Sequence, residues 1–186
     1  MSFTFVKKIQ IMTTKWNIDN MHSEIGFKVR HMMISNVRGS FANFSATVET
    51  ADDDFTSPSF SFSANVDSIQ TGVADRDGHL ISADFFDAAN YPTLDFASKS
   101  VERIADDKFA IHGNMTIKGK TLPVVLNAEY AGIVQDPYGQ TKAGLTVEGK
   151  IKRSDFGLTW SAVTEAGKVV VGDDIHLTAE LQFVKS

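Results

Sequence analysis

Residues 109–130 read FAIHGNMTIKGKTLPVVLNAEY. Apolar side chains occupy every second position, at Phe109, Ile111 and Met115 in the first half and again from Val124 to Tyr130. A period of two is typical of β-strands that bury one face. The polar segment 118–120, which contains a glycine, separates the two runs. The stretch therefore predicts two antiparallel strands joined by a hairpin turn.

The same alternation continues along most of the chain. Apolar residues fall on odd positions over 25–33, on even positions over 60–66, and on odd positions over 145–151 and 175–183. Clusters of Asp, Gly and Pro separate these runs and predict turns. About eight strands fit the pattern, and a sheet with one apolar face must bury it. We therefore predict an all-β fold, a single eight-stranded antiparallel barrel of a size that either fills with side chains or holds one small ligand.

One segment breaks the alternation. Residues 71–92 carry no period of two, Asp75 is a candidate N-cap for a short helix running to about Ala83, and Pro92 closes the segment. We expect a short helical insertion around residues 74–86 that covers an apolar opening of the barrel. The aspartates here are expected to act as caps and as a salt-bridge partner of Arg76.

Composition and charge exclude several classes of function. The net charge of −5 argues against nucleic-acid binding, and the absence of cysteine excludes disulfides, thiolate zinc sites and cysteine nucleophiles. The five histidines are too widely spaced for a typical strand-borne metal site, and no apolar run approaches the 20 residues of a membrane span. Fourteen phenylalanines, against three tyrosines and two tryptophans, predict an aromatic interior with few polar groups.

Several polar residues permit more than one interpretation. His31 shares the apolar face of its strand, where it is either a satisfied interior histidine or a polar contact to a ligand head group. Lys150, Lys152 and Arg153 form a small basic run expected at a solvated strand end. Lys7 and Lys8 interrupt the N-terminal apolar cluster, so we interpret residues 1–13 as a leader or disordered N-terminus and residues 14–186 as the barrel domain. Cytoplasmic residence is the resulting expectation.

Four sequence blocks run in order over about residues 14 to 184. They read Trp16-x-Ile18-Asp19-x-x-His22-Ser23-x-Ile25-x-Phe27-x-Val29-x-His31 with Gly39-x-Phe41-x-x-Phe44; Arg76-Asp77-x-His79-Leu80-x-Ser82-x-Asp84-Phe85-Phe86-Asp87 with Tyr91-Pro92 and Phe96-x-Ser98; Gly113-x-Met115-Thr116-Ile117-Lys118-Gly119-Lys120-Thr121-x-Pro123-Val124; and Arg153-x-Asp155-Phe156-Gly157 with Val171-Gly172-Asp173. Together the four blocks resemble the YceI-like proteins, a bacterial lipocalin-like family that binds lipids.

The resemblance implies an eight-stranded antiparallel barrel with an elongated apolar tunnel. It also implies binding of polyisoprenoids, isoprenoid quinones or long-chain fatty-acid derivatives, and homodimers in some members. Members are usually exported, which makes the periplasm the alternative location. No catalytic residue, metal or cofactor is implied, because binding is what the family is known for.

We therefore predict a non-catalytic carrier or store for a long-chain apolar molecule. Two alternatives are an enzyme at the barrel mouth that uses His31 or His79 as an acid–base group on a lipid or quinone, and a filled barrel that acts as an interaction module. The predicted ligand-binding residues are Phe27, Val29, His31, Met33, Phe41, Phe44, Phe60, Phe62, Leu80, Phe85, Phe86, Phe96 and Met115.

Overall fold

The computed structural model describes residues 12–167 and 169–186. The predicted leader lies almost wholly outside the described residues, and the division of the chain at residue 14 stays a prediction. The strands are β1 Thr13–Ile18, β2 Glu24–His31, β3 Ser35–Phe41, β4 Phe44–Ala51, β5 Asp54–Asn65, β6 Ile69–Gln70, β7 Thr93–Arg103, β8 Lys108–Ile117, β9 Lys120–Gln135, β10 Thr141–Lys152 and β11 Val171–Lys185. Helix α1 spans Ala74–Ile81, and 3-10 helices lie at Asn20–His22, Val66–Ser68 and Arg153–Phe156.

Eight of the described strands close into an antiparallel ring in the order β1-β4-β5-β7-β8-β9-β10-β11, with β11 returning to β1. The predicted eight-stranded barrel is therefore confirmed. The long strand β11 pairs with β1 near its C-terminal end and with β2 along its first half, so β2, β3 and β6 extend the sheet at one end. A 3-10 turn capped by Asp19 separates β1 from β2, and sequence alternation did not predict this separation.

The hairpin predicted from residues 109–130 is confirmed. Strands β8 and β9 pair in unbroken register from Ile117 opposite Lys120 to Lys108 opposite Glu129. Lys118 and Gly119 both have positive φ, of 50° and 71°. Positive φ at both central residues is the signature of the type I′ turn that two-residue hairpins favour.

Aromatic side chains fill one end of the barrel. Trp16 is fully buried, and its ring packs at 5.1 Å from the ring of Phe55, which in turn stacks on Tyr130 at 4.8 Å. The indole N–H of Trp16 donates to the hydroxyl of Thr50 at 3.1 Å, so the buried polar atom is satisfied. We call Trp16, Phe55 and Tyr130 the aromatic plug.

The opposite end of the barrel is covered by α1 and by residues 157–167 and 169–170. The helix begins one residue before the predicted cap: Val73 is the N-cap, and Asp75 lies in the first turn, where its charge suits the helix dipole. The prediction of Asp75 as N-cap was therefore wrong. Asp77 accepts a hydrogen bond from the backbone N–H of Thr71 at 2.9 Å. Arg76 donates to the carbonyl of Thr71 at 2.8 Å, and within the described residues it forms no salt bridge.

The turn between β2 and β3 has an unfavourable backbone for its sequence. Met32 and Met33 have φ of 49° and 60°, and the N–H of Ile34 donates to the carbonyl of His31 at 3.0 Å. This is again the type I′ pattern, which normally selects Asn-Gly. The left-handed conformation costs about 1–2 kcal/mol for an ordinary L-residue. The turn with two consecutive methionines is therefore less stable than the same turn with Asn-Gly would be.

A partly buried ion cluster ties the segment after β1 to β10 and to the turn after β9. The Lys142 ammonium lies 3.3 Å from Asp19 Oδ2 and 3.4 Å from Asp136 Oδ2, and His22 Nδ1 lies 2.9 Å from Asp19 Oδ2. Burial alone would raise the pKa of Asp19, but the contacts with His22 and Lys142 lower it below its usual value. The backbone N–H of Gln140 and the ammonium of Lys142 lower the pKa of Asp136. The cluster therefore stabilises the ionised carboxylates.

We expect this cluster to make stability depend on pH. A lowered folded-state pKa means that the stabilisation is fully present above the unfolded pKa of about 3.9 and is lost as pH falls through the folded value. Replacing Lys142 with methionine should lower the free energy of unfolding at pH 7 and leave little difference from wild type near pH 2.5. Urea denaturation at the two pH values measures this.

The matched control is Lys150→Met, because Lys150 pairs with Asp174 at 2.6 Å where both side chains are about half exposed. Exposed pairs contribute little to stability. An equal difference between wild type and Lys142→Met at both pH values would show that the two carboxylates are not responsible.

Candidate functional site

The barrel encloses a cavity of about 580 Å³ beyond the aromatic plug. This volume lies within the range of about 300–1,000 Å³ that is typical of small-molecule sites. Its wall is mostly aliphatic and aromatic, and none of the three plug residues belongs to it. The wall reaches the exposed residues Arg30, Val73 and Asp75 at the end covered by α1. The cavity therefore opens at that end and is closed at the other.

Eleven of the thirteen predicted site residues line this cavity. Strand register explains why those on strands share the inner face: Phe62 of β5 lies opposite Phe96 of β7, which lies opposite Met115 of β8, so the three side chains form one row. That they contact a ligand stays a prediction. The eleven are Phe27, Val29, His31, Phe41, Phe60, Phe62, Leu80, Phe85, Phe86, Phe96 and Met115.

Met33 and Phe44 lie outside the cavity wall. The chain leaves the inner face of β2 after His31 and turns, so Met33 is 59% exposed at the tip of the β2–β3 hairpin. Phe44 is half-buried at the start of β4, and its ring packs at 6.5 Å from the ring of Phe62. Phe44 therefore supports a wall residue from beside the cavity.

Strands β9, β10 and β11 supply a part of the wall that the prediction did not name. The signal was present, because these strands show the same alternation as the others. Trp160, in the segment after β10, gave no such signal. These additional wall residues are Leu126, Val147, Ile151, Leu158, Trp160, Val170, Val171, Ile175, Leu177, Ala179, Leu181 and Phe183.

The charged and histidine residues of the wall lie at the open end, and the wall also includes Thr47, Ser61 and Thr178 on strands of the barrel. His79 of α1 packs edge-on against the ring of Trp160 at 4.9 Å, and Arg153 donates to the carbonyl of Trp160 at 2.8 Å. Arg153 also donates to the carbonyl of Val171, the residue opposite His31 in the β2–β11 pairing. The polar wall residues at this end are Arg30, His31, Asp75, Arg76, His79 and Arg153.

Arg153 is buried, not solvated as the sequence predicted. Its guanidinium donates to four backbone carbonyls, at 2.6 Å to Leu158, 2.8 Å to Trp160, 2.9 Å to Gly172 and 3.2 Å to Val171. Burial lowers its pKa, and the charge of a nearby aspartate opposes that shift. The single side chain therefore fastens both ends of the segment between β10 and β11 to the barrel. A basic run alone gave no means of telling this arginine from its exposed neighbours.

Gly113 allows the wall to accept a large ring without filling the cavity. A Cβ atom at this position would lie 2.5 Å from Phe96 Cζ and 2.5 Å from the carbonyl oxygen of Ala97. The phenylalanine ring therefore lies flat over the glycine and against the sheet. Gly149 accommodates the Cδ2 of Leu126 in the same way. These glycines keep the wall side chains out of the cavity centre.

The two histidines of the enzymatic alternative both lie in the wall. His79 Nε2 is 3.3 Å from Asp84 Oδ2, whereas the imidazole of His31 has no hydrogen-bond partner among the described residues. In the same part of the chain, no group of three or more His, Asp or Glu side chains is arranged to hold a metal ion. No helix there has both the length and the apolar character needed to cross a membrane.

Comparisons of the sequence give consistent relatives. The sequence profile described as "YceI-like domain" matches residues 16–183. A "UPF0312 protein" of Staphylococcus epidermidis is 33% identical over 171 residues, which cover 91% of this chain and 97% of the relative. A "UPF0312 protein" of Staphylococcus aureus strain MSSA476 is 32% identical with the same coverage.

Solved structures give the same fold. The YceI protein of Campylobacter jejuni is 34% identical, with a TM-score of 0.72 over 84% of this chain and 90% of that one. BcnA of Burkholderia cenocepacia has a TM-score of 0.77 at 23% identity over 89% and 98% of the two chains. A polyisoprenoid-binding domain from Saccharophagus degradans has a TM-score of 0.64 at 15% identity over 92% and 98%. The profile match and the relatives above 30% identity establish that this chain belongs to the YceI-like family.

Proposed function

We propose that the protein binds one long-chain lipid in the barrel cavity and carries or stores it without chemical change. The observation that carries this proposal is the apolar cavity of about 580 Å³, closed by the aromatic plug and open at the other end. Each CH₂-sized group moved from water into such a wall contributes about 0.8 kcal/mol. Rigid rings reduce the cost of ordering the wall around a flexible chain.

The proposed ligand is an isoprenoid-type lipid: a polyisoprenoid, an isoprenoid quinone or a related fatty-acid derivative. Membership of the YceI-like family supports lipid binding in general. The Saccharophagus degradans relative is described as polyisoprenoid-binding, and its fold is shared with this chain. We propose the same class of ligand here.

The orientation of the ligand follows from the two ends of the cavity. The inner end is mostly apolar, whereas Arg30 and Arg76 reach the wall at the open end together with His31. Burying a polar group without a hydrogen-bond partner is costly. We propose that the chain points toward the aromatic plug and that a head group which accepts hydrogen bonds lies among these donors.

Binding is favoured over catalysis by the surroundings of the two histidines. A general base needs a reacting group within hydrogen-bond distance, and a nucleophile is activated by an adjacent base. In the described residues, neither the imidazole of His31 nor that of His79 is hydrogen-bonded to a side-chain hydroxyl. His79 instead packs against Trp160 and Phe85, as a wall residue would.

Extraction of the purified protein with organic solvent, followed by mass spectrometry, tests the proposal. We expect about one long-chain lipid per protein molecule after purification without detergent. The absence of any such lipid, combined with failure to bind polyprenols, quinones and fatty acids added afterwards, would refute it. Conversion of the bound lipid that is lost in His31→Ala or His79→Ala would favour the enzymatic alternative.

Replacing Ala179 with tryptophan should abolish lipid retention. Ala179 lies on the inner face of β11 between Val147 of β10 and Ile25 of β2, and all three line the cavity. The indole enters open space. The free energy of unfolding of the delipidated protein should therefore fall by less than the 1–3 kcal/mol that is typical of an overfilled core. Lipid content by mass spectrometry and thermal unfolding of delipidated protein are the two measurements.

The control is Glu180→Trp, the next residue on the same strand, whose side chain is exposed. It should retain the lipid at the wild-type ratio. Equal lipid content in the Ala179→Trp variant and wild type would show that this part of the barrel does not hold the ligand.

A further inference from the structure

Exposed apolar side chains gather on two loops at the open end of the barrel. Met33 and Ile34, in the turn between β2 and β3, are 59% and 74% exposed. Val163 and Val169, which pair with each other in the segment between β10 and β11, are 67% and 44% exposed. Single exposed apolar residues are ordinary, but several on adjoining loops mark an interaction surface. We call these four residues the rim patch.

The rim patch is continuous with the cavity wall. The N–H of Met32 donates to the carbonyl of Val170 at 2.7 Å, so the two loops are joined directly. Val170, Val171 and His31, which adjoin the patch in sequence, all line the cavity. A lipid that leaves the cavity at this end therefore meets the rim patch.

The backbone of the turn gives a second, independent observation. Met32 and Met33 both have the left-handed conformation that Asn-Gly adopts with less strain. Unfavourable conformations that persist in a fold tend to lie at functional sites. Methionine is also a flexible, polarisable side chain suited to irregular apolar surroundings. The turn therefore exposes the apolar side chain of Met33 to solvent, and its left-handed backbone makes the turn less stable.

We propose that the rim patch contacts the surface of a lipid bilayer, so that the ligand moves between bilayer and cavity without crossing water. This inference rests on the proposed lipid-binding function. A bilayer is the phase in which a long-chain lipid dissolves, and shallow insertion of apolar side chains is how a peripheral protein engages it. Arg30, exposed beside the turn and bonded to the carbonyl of Met33, adds a positive charge suited to lipid phosphates.

The double variant Met32→Asn/Met33→Gly separates this role from stability and from ligand affinity. The probe is pyrene-labelled palmitate carried in phosphatidylcholine vesicles. We expect transfer from vesicles to the variant to be at least 10-fold slower than to wild type. Affinity for the probe added without vesicles should stay within twofold, and the melting temperature should rise by about 3 °C because the turn is relieved.

A second variant, Ile34→Asn/Val163→Asn, keeps the turn sequence and removes apolar surface from both loops. It should slow transfer to a similar extent. The matched control is Val125→Asn on β9, an apolar residue 48% exposed that lies outside the cavity wall and the rim patch. It should transfer at the wild-type rate.

Wild-type transfer that does not accelerate with vesicle concentration would overturn the proposal, as would unchanged transfer in both rim variants. A wild-type dimer that both variants convert to monomer would also overturn it and assign the patch to contact between two copies. If wild type fails to bind the probe, and also fails to bind polyprenols and quinones added without vesicles, the proposed function fails. Co-sedimentation of wild type and the two rim variants with the same vesicles then decides the bilayer contact by itself.

Discussion

Replacing Arg153 with methionine is expected to lower the free energy of unfolding by about 3 kcal/mol or more. The side chain is 7% exposed and holds four backbone carbonyls through charge-assisted hydrogen bonds. Methionine fills a similar volume but leaves those carbonyls without their donor, and each buried unsatisfied group costs about 1–3 kcal/mol. For a domain of this size the melting temperature should fall by about 6–12 °C.

The same substitution should release bound lipid, because Leu158, Trp160 and Val171 belong to the cavity wall at the open end. Urea denaturation and lipid content measure the two effects together. Arg153→Lys keeps the charge but lacks the planar fork, so it should recover only part of the loss. The control is Lys152→Met, an exposed neighbour expected to change stability by less than about 0.5 kcal/mol. Stability of Arg153→Met within 1 kcal/mol of wild type would contradict this account of the loop.

Replacing Gly113 with alanine is expected to have the second large effect, about 2–3 kcal/mol of destabilisation. The new Cβ atom would lie 2.5 Å from a backbone carbonyl of the neighbouring strand, which has little freedom to move. It would also lift the ring of Phe96 off the wall and into the cavity. The variant should therefore bind shorter lipids than wild type, as mass spectrometry of the extracted lipid would reveal.

Gly149→Ala is the matched control, because its new Cβ would clash only with Leu126 Cδ2 and would meet other atoms at 3.8 Å. The end of a leucine side chain can rotate away, and alanine is favoured over glycine in a strand by about 0.5–1 kcal/mol. We expect Gly149→Ala to be close to wild type in stability. Equal losses in the two variants would mean that the fixed carbonyl beside Gly113 is not the cause.

Sequence alternation predicted the barrel and part of the cavity wall because a strand assigns its side chains to two faces by parity alone. Phe62, Phe96 and Met115 meet in one row for this reason. Parity says nothing about where a strand ends. Met33 continues the apolar series of β2 in sequence, but the chain has already turned at Met32.

Contacts made outside the strands could not be predicted in the same way. Arg153 and Trp160 belong to the connection between β10 and β11, where no periodic pattern relates sequence to position. The burial of Arg153 depends on four carbonyls that only the folded connection brings together. The N-cap of α1 was missed because Asp75 has the chemistry of a cap, whereas the local backbone places Val73 there and leaves the helix without a side-chain cap.

The aromatic plug has a consequence for the kinetics of exchange. Among the described residues, Trp16, Phe55 and Tyr130 pack across one end, and the cavity opens at the end covered by α1. A lipid bound as proposed must leave through that end before another enters, so its replacement should proceed at a rate that saturates with competitor concentration. The direction of net movement is then set by the chemical potential of the lipid in the donor and acceptor phases. The protein itself does not impose a direction on the transfer.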